Sequence, residues 1–225
     1  KAAAKGNIKD VLAGGEKAIL EVISVSHSGL SVKAFQDVVS RWLETARHPV
    51  TGQAYDKMTY QPMLELLRYL RDEDFATYIV SGGGIHFMRA FSHAAYGIPS
   101  QNVIGSAGKT SYKIIDGVPM VMKDVGIAFI DDKEGKPVGI DTHIGKRPIF
   151  VGGNSDGDFQ MLEWATAGDG PRFGLIVHHT DAKREWAYDR DSHIGRLVRG
   201  LDEGPDRGWL IVDMERDWKT VWSSK

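Results

Sequence analysis

The chain has 225 residues, 42% hydrophobic and 26% charged, which suits one medium domain or a core with an inserted subdomain and excludes a disordered or fibrous chain. A net charge of −2 gives no basis for a nucleic-acid or anionic-membrane partner, and no apolar run approaches the roughly 18 residues needed to span a bilayer, so a soluble protein is expected. There is no cysteine, which excludes disulfides and thiolate metal sites.

Residues 2–25 carry a helical pattern interrupted near Gly14-Gly15. Ser31 stands where an N-cap belongs, ahead of Phe35, Val38, Val39, Trp42 and Leu43 at helical spacing. The stretch from His48-Pro49 to Gly52 breaks that pattern, and Met63, Leu64, Leu66, Leu67 and Leu70 mark the next helix. The aromatic and Met positions across residues 31–70 are expected to be core rather than a ligand box. Ala76 to Val80 is a strand candidate that runs into Ser81-Gly82-Gly83-Gly84 and then a helical pattern through Ile85, Phe87, Met88 and Phe91. Ser81 is thus expected where a strand ends and a helix begins. Its hydroxyl and the N–H groups after it, starting with Gly82, are suited to a phosphate oxygen. The plainer alternative is a flexible glycine turn.

Lys113 to Val121 predicts a β-hairpin around Asp116-Gly117, either a flap or an antiparallel edge. Lys136 opens a short helix candidate with Pro137 near its start, and that helix leads into the strand at Ile149. A lysine there can neutralise a phosphate over the sheet edge. Lys146 competes, but a full strand length separates it from the far end of that strand.

Ile149 to Met161 is the most informative stretch. An apolar run ends in Gly153-Asn154-Ser155-Asp156-Gly157-Asp158, and Phe159, Met161, Leu162 and Trp164 follow at helical spacing. Strand, loop and helix in that order place the polar residues at the carboxyl end of a strand, where open α/β sheets bind ligands. Oxygen ligands such as Asn154 and Asp158 suit Mg²⁺, which keeps positions for water and phosphate. Asp156 is read either as a ligand or as a helix cap. Phe173 to Val177 is a further strand candidate ending in His178 and His179, residues that either contact substrate phosphate or close the strand structurally. A zinc site from His178, His179, Asp181 and His193 matches no known ligand spacing. Residues 182–200 alternate charges and aromatics and are expected to form a solvated face, with an arginine there able to recognise a substrate anion.

In their order these segments resemble the haloacid dehalogenase-like hydrolase superfamily, in its phosphoserine phosphatase-like branch. Tyr78-Ile79-Val80-Ser81-Gly82 is similar to that family's second motif, Lys136 to its third, and Gly153-Asn154-Ser155-Asp156-Gly157-Asp158 to its fourth, over about residues 60–180. Asn154 replaces the usual first Asp of the fourth motif, which leaves Asp158 as the firmer carboxylate. The resemblance implies an α/β fold with a parallel-sheet Rossmann-like core over residues 61–225, a β-hairpin insertion, and a helical cap over residues 1–60. It also implies a Mg²⁺-dependent phosphomonoester hydrolase acting on a small phosphorylated substrate through an aspartyl-phosphate. The catalytic roles fall to Lys136 and Ser81, substrate contacts to Ser81, Gly82, His178 and His179, and metal contacts to Asn154 and Asp158.

The family's Asp-x-Asp nucleophile motif is missing. Asp72, Asp189 and Asp10 lack the apolar lead-in, and only Asp213, after Trp209-Leu210-Ile211-Val212, fits in part. Because Ala-Ala-Ala-Lys resembles the middle of a helix, the nucleophile is expected upstream of Lys1. A non-catalytic phosphate- or metal-binding protein and a phosphotransferase of the same superfamily are the alternatives.

Overall fold

The computed structural model describes residues 27–223 together with Val22 and Val25, both helical. The rest of the helix expected over residues 2–25 lies outside the described residues. The chain divides into two compact units, one of Lys1–Tyr55 and Ser81–Ile130, the other of Asp56–Val80 and Asp131–Lys225. No helix among the described residues is long and apolar enough to cross a membrane.

The first unit is built on a hairpin and a helix. Helix α1 (Val32–Thr45) starts at Ser31, whose hydroxyl accepts from the Ala34 N–H at 3.1 Å. That satisfies one of the orphan donors of the first turn. Phe35, Val39 and Leu43 recur at i, i+4 and i+8 and form the buried face of α1, packed with Ala90 and Phe91. Val38 and Trp42 flank that face and stay exposed, contrary to the core place expected for Trp42; the Trp42 ring stacks on Tyr55 at 5.3 Å.

Strand β1 (Ile79–Gly84) leads into the short helices α3 (Ile85–Arg89) and α4 (Ser92–Tyr96); helix α2 (Gln61–Asp72) lies earlier in the chain and belongs to the second unit. Strands β2 (Val103–Ile115) and β3 (Val118–Phe129) form an antiparallel hairpin in register from Ile115↔Val118 to Thr110↔Lys123. The turn at Asp116-Gly117 has both φ values positive, at 50° and 79°, the type I′ geometry whose twist matches the flanking strands. Gly117 takes this conformation without steric cost. The hairpin is much longer than the 113–121 segment that turn chemistry alone predicts, because alternation is weak in the outer strands.

The sheet order β1-β2-β3 corrects one expectation. β1 does not end at Val80: it continues through Ser81 to Gly84, and its neighbour in the sheet is β2 of the hairpin. Glycine has poor strand propensity, but strand formation depends on an available partner edge more than on intrinsic preference.

The second unit holds a parallel sheet of order β4-β5-β6: Phe150–Gly153, Phe173–His178 and Leu210–Asp213. Registers run from Phe150↔Phe173 to Gly153↔Ile176 and from Leu175↔Leu210 to His178↔Asp213. Helix α5 (Gly135–Ile144) precedes β4, and α6 (Phe159–Thr166) crosses from β4 to β5 and packs on both strands. This β-α-β succession with parallel strands is the Rossmann-like arrangement that the sequence order predicts. Phe159 and Leu162 are fully buried under α6, where the Phe159 ring meets Trp209 edge-on at 5.0 Å. A second cluster of Leu175, Val177, Met214, Trp218 and Val221 receives Met63 and Leu66 from α2 (Gln61–Asp72).

Candidate functional site

The carboxyl ends of β4, β5 and β6 present Gly153, His178 and Asp213 along one edge. The chain leaves β4 through Asn154 and Ser155 and enters a 3₁₀ turn (Asp156–Asp158) that runs directly into α6. Asp158 folds back over this loop. Its Oδ2 accepts from the Asn154 N–H at 2.9 Å, the Ser155 N–H at 3.1 Å and the Ser155 hydroxyl at 3.2 Å. A side chain at Gly153 would put its Cβ 2.5 Å from the Asp158 Cβ, so this return is possible only over glycine. Asp156 reaches a distant segment instead of the helix that follows its own loop: its oxygens accept from the Val198 and Gly200 N–H groups, each at 3.0 Å, at the start of α7 (Arg199–Glu203).

Lys136, near the start of α5, is 4% exposed, and its Nζ donates to the Val80 carbonyl at 2.7 Å and lies 3.1 Å from Asp158 Oδ1. A buried ammonium is tolerated because an equally buried carboxylate and a carbonyl replace its water. Lys146, the competitor, is exposed. Within this unit the structure therefore brings Lys136, Asn154 and Asp158 into one hydrogen-bonded group.

The two histidines differ. His178 Nε2 lies 3.1 Å from Asp189 Oδ2 and is partly exposed. The Asp189 carboxyl is held below its usual range, first by the Arg190 N–H and then by His178. His179 is 2% exposed, with Nδ1 3.3 Å from Glu185 Oε2 and Nε2 3.2 Å from Asn154 Nδ2. Burial works to raise the Glu185 pKa. Hydrogen bonds from His179, the Trp186 N–H and the Tyr60 hydroxyl outweigh burial and leave the pKa below the ordinary glutamate range. An ionised Glu185 needs donors and accepts from His179 at Nδ1, while Asn154 presents its Nδ2 to the Nε2 side of the ring. That contact turns the Asn154 Oδ1 away from the imidazole. Tyr188 stacks on His179 at 4.3 Å, and its hydroxyl is pushed up to about 12 by burial and by the Glu185 charge, against a hydrogen bond from Asn154.

Tyr60, Glu185 and Tyr188 are the members of this group that sequence reasoning missed. Their signal was weak: Glu185 and Tyr188 sit in the segment expected to be a solvated face, and Arg184 in that segment does stay exposed while its guanidinium is committed to protein partners. Arg184 pairs with the buried Asp181, and its two terminal nitrogens donate to the carbonyls of Trp218, Lys219, Met214 and Glu215 at 2.8–3.1 Å. The Arg184 N–H, the guanidinium and the Lys183 N–H hold Asp181 below its usual pKa against the opposing effect of burial. A planar guanidinium with five donors suits this task as no lysine would.

Asp213, the partial match to a nucleophile, caps α8 (Met214–Asp217): its Oδ1 accepts from the Arg216 N–H at 3.0 Å and the Thr180 hydroxyl at 2.7 Å. In the first unit, Ser81 Oγ accepts from the Gly83 N–H at 3.1 Å, which turns the hydroxyl onto its own backbone, and Gly82 continues β1.

Asn154 and Asp158 do not by themselves fit Mg²⁺. Asp158 already meets three donors on one oxygen and Lys136 on the other, so a cation would have to displace them. Asn154 Oδ1 is a single neutral ligand, and among the described residues no group of three or more His, Asp or Glu is placed to hold a metal ion. The zinc combination fails for the same reason, since Asp181 is committed to Arg184 and His179 to Glu185 and Asn154.

No family model matches the chain, and no curated protein matches it. Among solved structures, it is similar to a conserved functionally unknown protein from Anaerococcus prevotii DSM 20548, with 23% identity and a TM-score of 0.49, over 69% of this chain and 46% of that one. The chain thus spans about half the length of that protein. It is also similar to a phosphoserine phosphohydrolase-like protein from Francisella tularensis subsp. tularensis SCHU S4, with 12% identity and a TM-score of 0.41, over 88% of this chain and 89% of that one. Likenesses of this size leave the fold class resting on the strands and helices themselves.

Proposed function

We propose that this chain forms the phosphoryl-binding part of a phosphomonoester hydrolase of the haloacid dehalogenase-like type, with the aspartate nucleophile supplied from outside the present sequence. One observation carries the reading: the Lys136 ammonium is buried among the loops at the carboxyl edge of the parallel sheet, fixed by the Val80 carbonyl and by Asp158. An ammonium has three N–H donors. Two have partners here, and the third is left for an anionic oxygen. A fixed cation of this kind stabilises charge on a transferring phosphoryl group without reorganising during the reaction. Asp158 acts through Lys136 and the Asn154 loop, as a positioning residue. Glu185 and His179 set the orientation of the Asn154 amide.

The test is hydrolysis of a panel of small phosphate monoesters by the full-length protein, with and without Mg²⁺ and EDTA, for wild type and Lys136→Met. Loss of about 10²–10³ in turnover in Lys136→Met supports the reading, since that is the usual size of such an electrostatic contribution. Ser81→Ala tests separately the hydroxyl that the sequence motif assigns to phosphate. Wild-type turnover that survives Lys136→Met overturns the assignment of Lys136. A second reading, a phosphate-binding protein without turnover, is favoured by the missing Asp-x-Asp motif. Calorimetry with inorganic phosphate showing Lys136-dependent binding but no hydrolysis would select it.

A further inference from the structure

The first unit contains a cavity of about 340 Å³ that the phosphatase reading does not use. That volume lies at the small end of ligand pockets, which run from about 300 to 1,000 Å³. Its walls are largely apolar, with Phe35 from α1, Ile85 and Phe87 from α3 and Ile127 from β3. Its polar groups include Lys123 and His86.

Lys123 is held rigidly by its backbone. Its N–H donates to the Leu30 carbonyl and its carbonyl accepts from the Gly29 N–H, each at 2.9 Å, while the same residue sits opposite Thr110 in the hairpin. The ammonium lies 4.4 Å from the centroid of the Phe35 ring and 3.4 Å from His86 Nδ1. No carboxylate among the described residues forms an ion pair with it. Burial lowers the Lys123 pKa. Burial, then the charges of Lys123 and Arg89, push His86 down to about 4. His86 is therefore neutral at pH 7. It accepts from the ammonium at Nδ1 and keeps Nε2–H as a donor. The polar side of the cavity thus carries one positive charge and hydrogen-bond donors, set against aromatic and aliphatic walls.

We propose that this cavity binds a small apolar monoanion, a monocarboxylic acid with an aliphatic or arylalkyl body. The apolar body replaces water on the walls, and the carboxylate supplies a counter-charge that no described residue gives Lys123. A monoanion is favoured over a phosphate dianion because one ammonium beside a neutral imidazole compensates one charge. A second negative charge would stay uncompensated against apolar walls. This inference is independent of the phosphatase reading, because every residue it uses belongs to the first unit.

The test is isothermal titration of the full-length protein with octanoate, 4-phenylbutyrate, octyl phosphate and octan-1-ol. Saturable octanoate or phenylbutyrate binding at least tenfold tighter than that of octan-1-ol and octyl phosphate is expected. It should weaken at least tenfold in Lys123→Met. Ala107→Phe, which fills the cavity without touching the charge, should abolish it. Circular dichroism establishes that each variant is folded; if a variant is not, the ligand preference of the wild type decides. Equal binding of octanoate and octan-1-ol overturns the proposal, as does tighter binding of octyl phosphate. Absence of saturable binding, or octanoate binding unchanged in a folded Lys123→Met or Ala107→Phe, overturns it too.

Discussion

The two units treat buried charge in opposite ways. In the parallel-sheet unit Lys136 meets Asp158, His179 meets Glu185 and Arg184 meets Asp181. In the hairpin unit Lys123 meets an aromatic face and a neutral imidazole, and no carboxylate among the described residues. The paired groups are building elements: Asp158 closes the Asn154 loop, Glu185 orients His179, and Arg184 gathers four carbonyls. Removing one partner of such a pair strands the other in a medium that cannot solvate it. A cation without an anion has no such structural duty, and its charge is available to a ligand.

The largest expected effect separates the units directly. Asp158→Ala leaves Lys136 unpaired and two loop N–H groups without an acceptor, and should cost about 3–5 kcal/mol in urea unfolding. Lys123→Met removes a cation that has no carboxylate partner among the described residues, and should change stability by less than about 1 kcal/mol or raise it. Equal losses would erase the distinction. Arg184→Met comes next, at about 2–4 kcal/mol, because it leaves Asp181 buried and ionised and the carbonyls at the end of α8 without donors.

Acid separates the units by pH window. His86 has a folded pKa of about 4 against an ordinary 6.5, so the unfolded chain takes up a proton first as pH falls. Its contribution to stability is complete above about 6.5 and is lost between there and about 4. Asp181, Glu185 and Asp213 are all shifted below the ordinary carboxylate range. Their contribution is complete above that range, about 4, and is lost only as pH drops through their lower folded values. Amide exchange followed by residue from pH 7 downward should show the hairpin unit weakening first, and His86→Phe should remove that early loss. Simultaneous weakening would overturn the ordering. The smallest expected loss from backbone geometry is Gly117→Ala, which forces a β-carbon into φ 79° and should lower stability by about 1–2 kcal/mol, read as a drop in Tm.

The sequence carried the local features well. Ser31 as a cap, Asp116-Gly117 as a turn and the apolar run into Gly153 depend on neighbours a few residues apart, and chain chemistry alone dictates them. The Lys136 helix and the polar loop after β4 were legible for the same reason, as strand-to-helix punctuation. The partner of β1 was not, because strand pairing is chosen by whichever edge is presented and not by the strand's own residues. Nor was the burial of the Glu185 side chain or the anchoring of the exposed Arg184, whose segment has the composition of a solvated face. Their partners, Asp181 apart, lie as far away as Tyr60, Met214 and Trp218.

By itself the sequence determined the α/β class, the hairpin turn and the residues with chemistry to offer at the sheet edge, since periodicity, turn geometry and capping act over one or two turns of chain. Only the tertiary structure decided which of those residues meet. It gave Asp158 to Lys136, Asp156 to the start of α7, Asp213 to the cap of α8, and set Lys123 over Phe35 with no counter-ion among the described residues. The role of a charged side chain is set by its solvent and its nearest opposite charge, and both come from segments far away in the sequence.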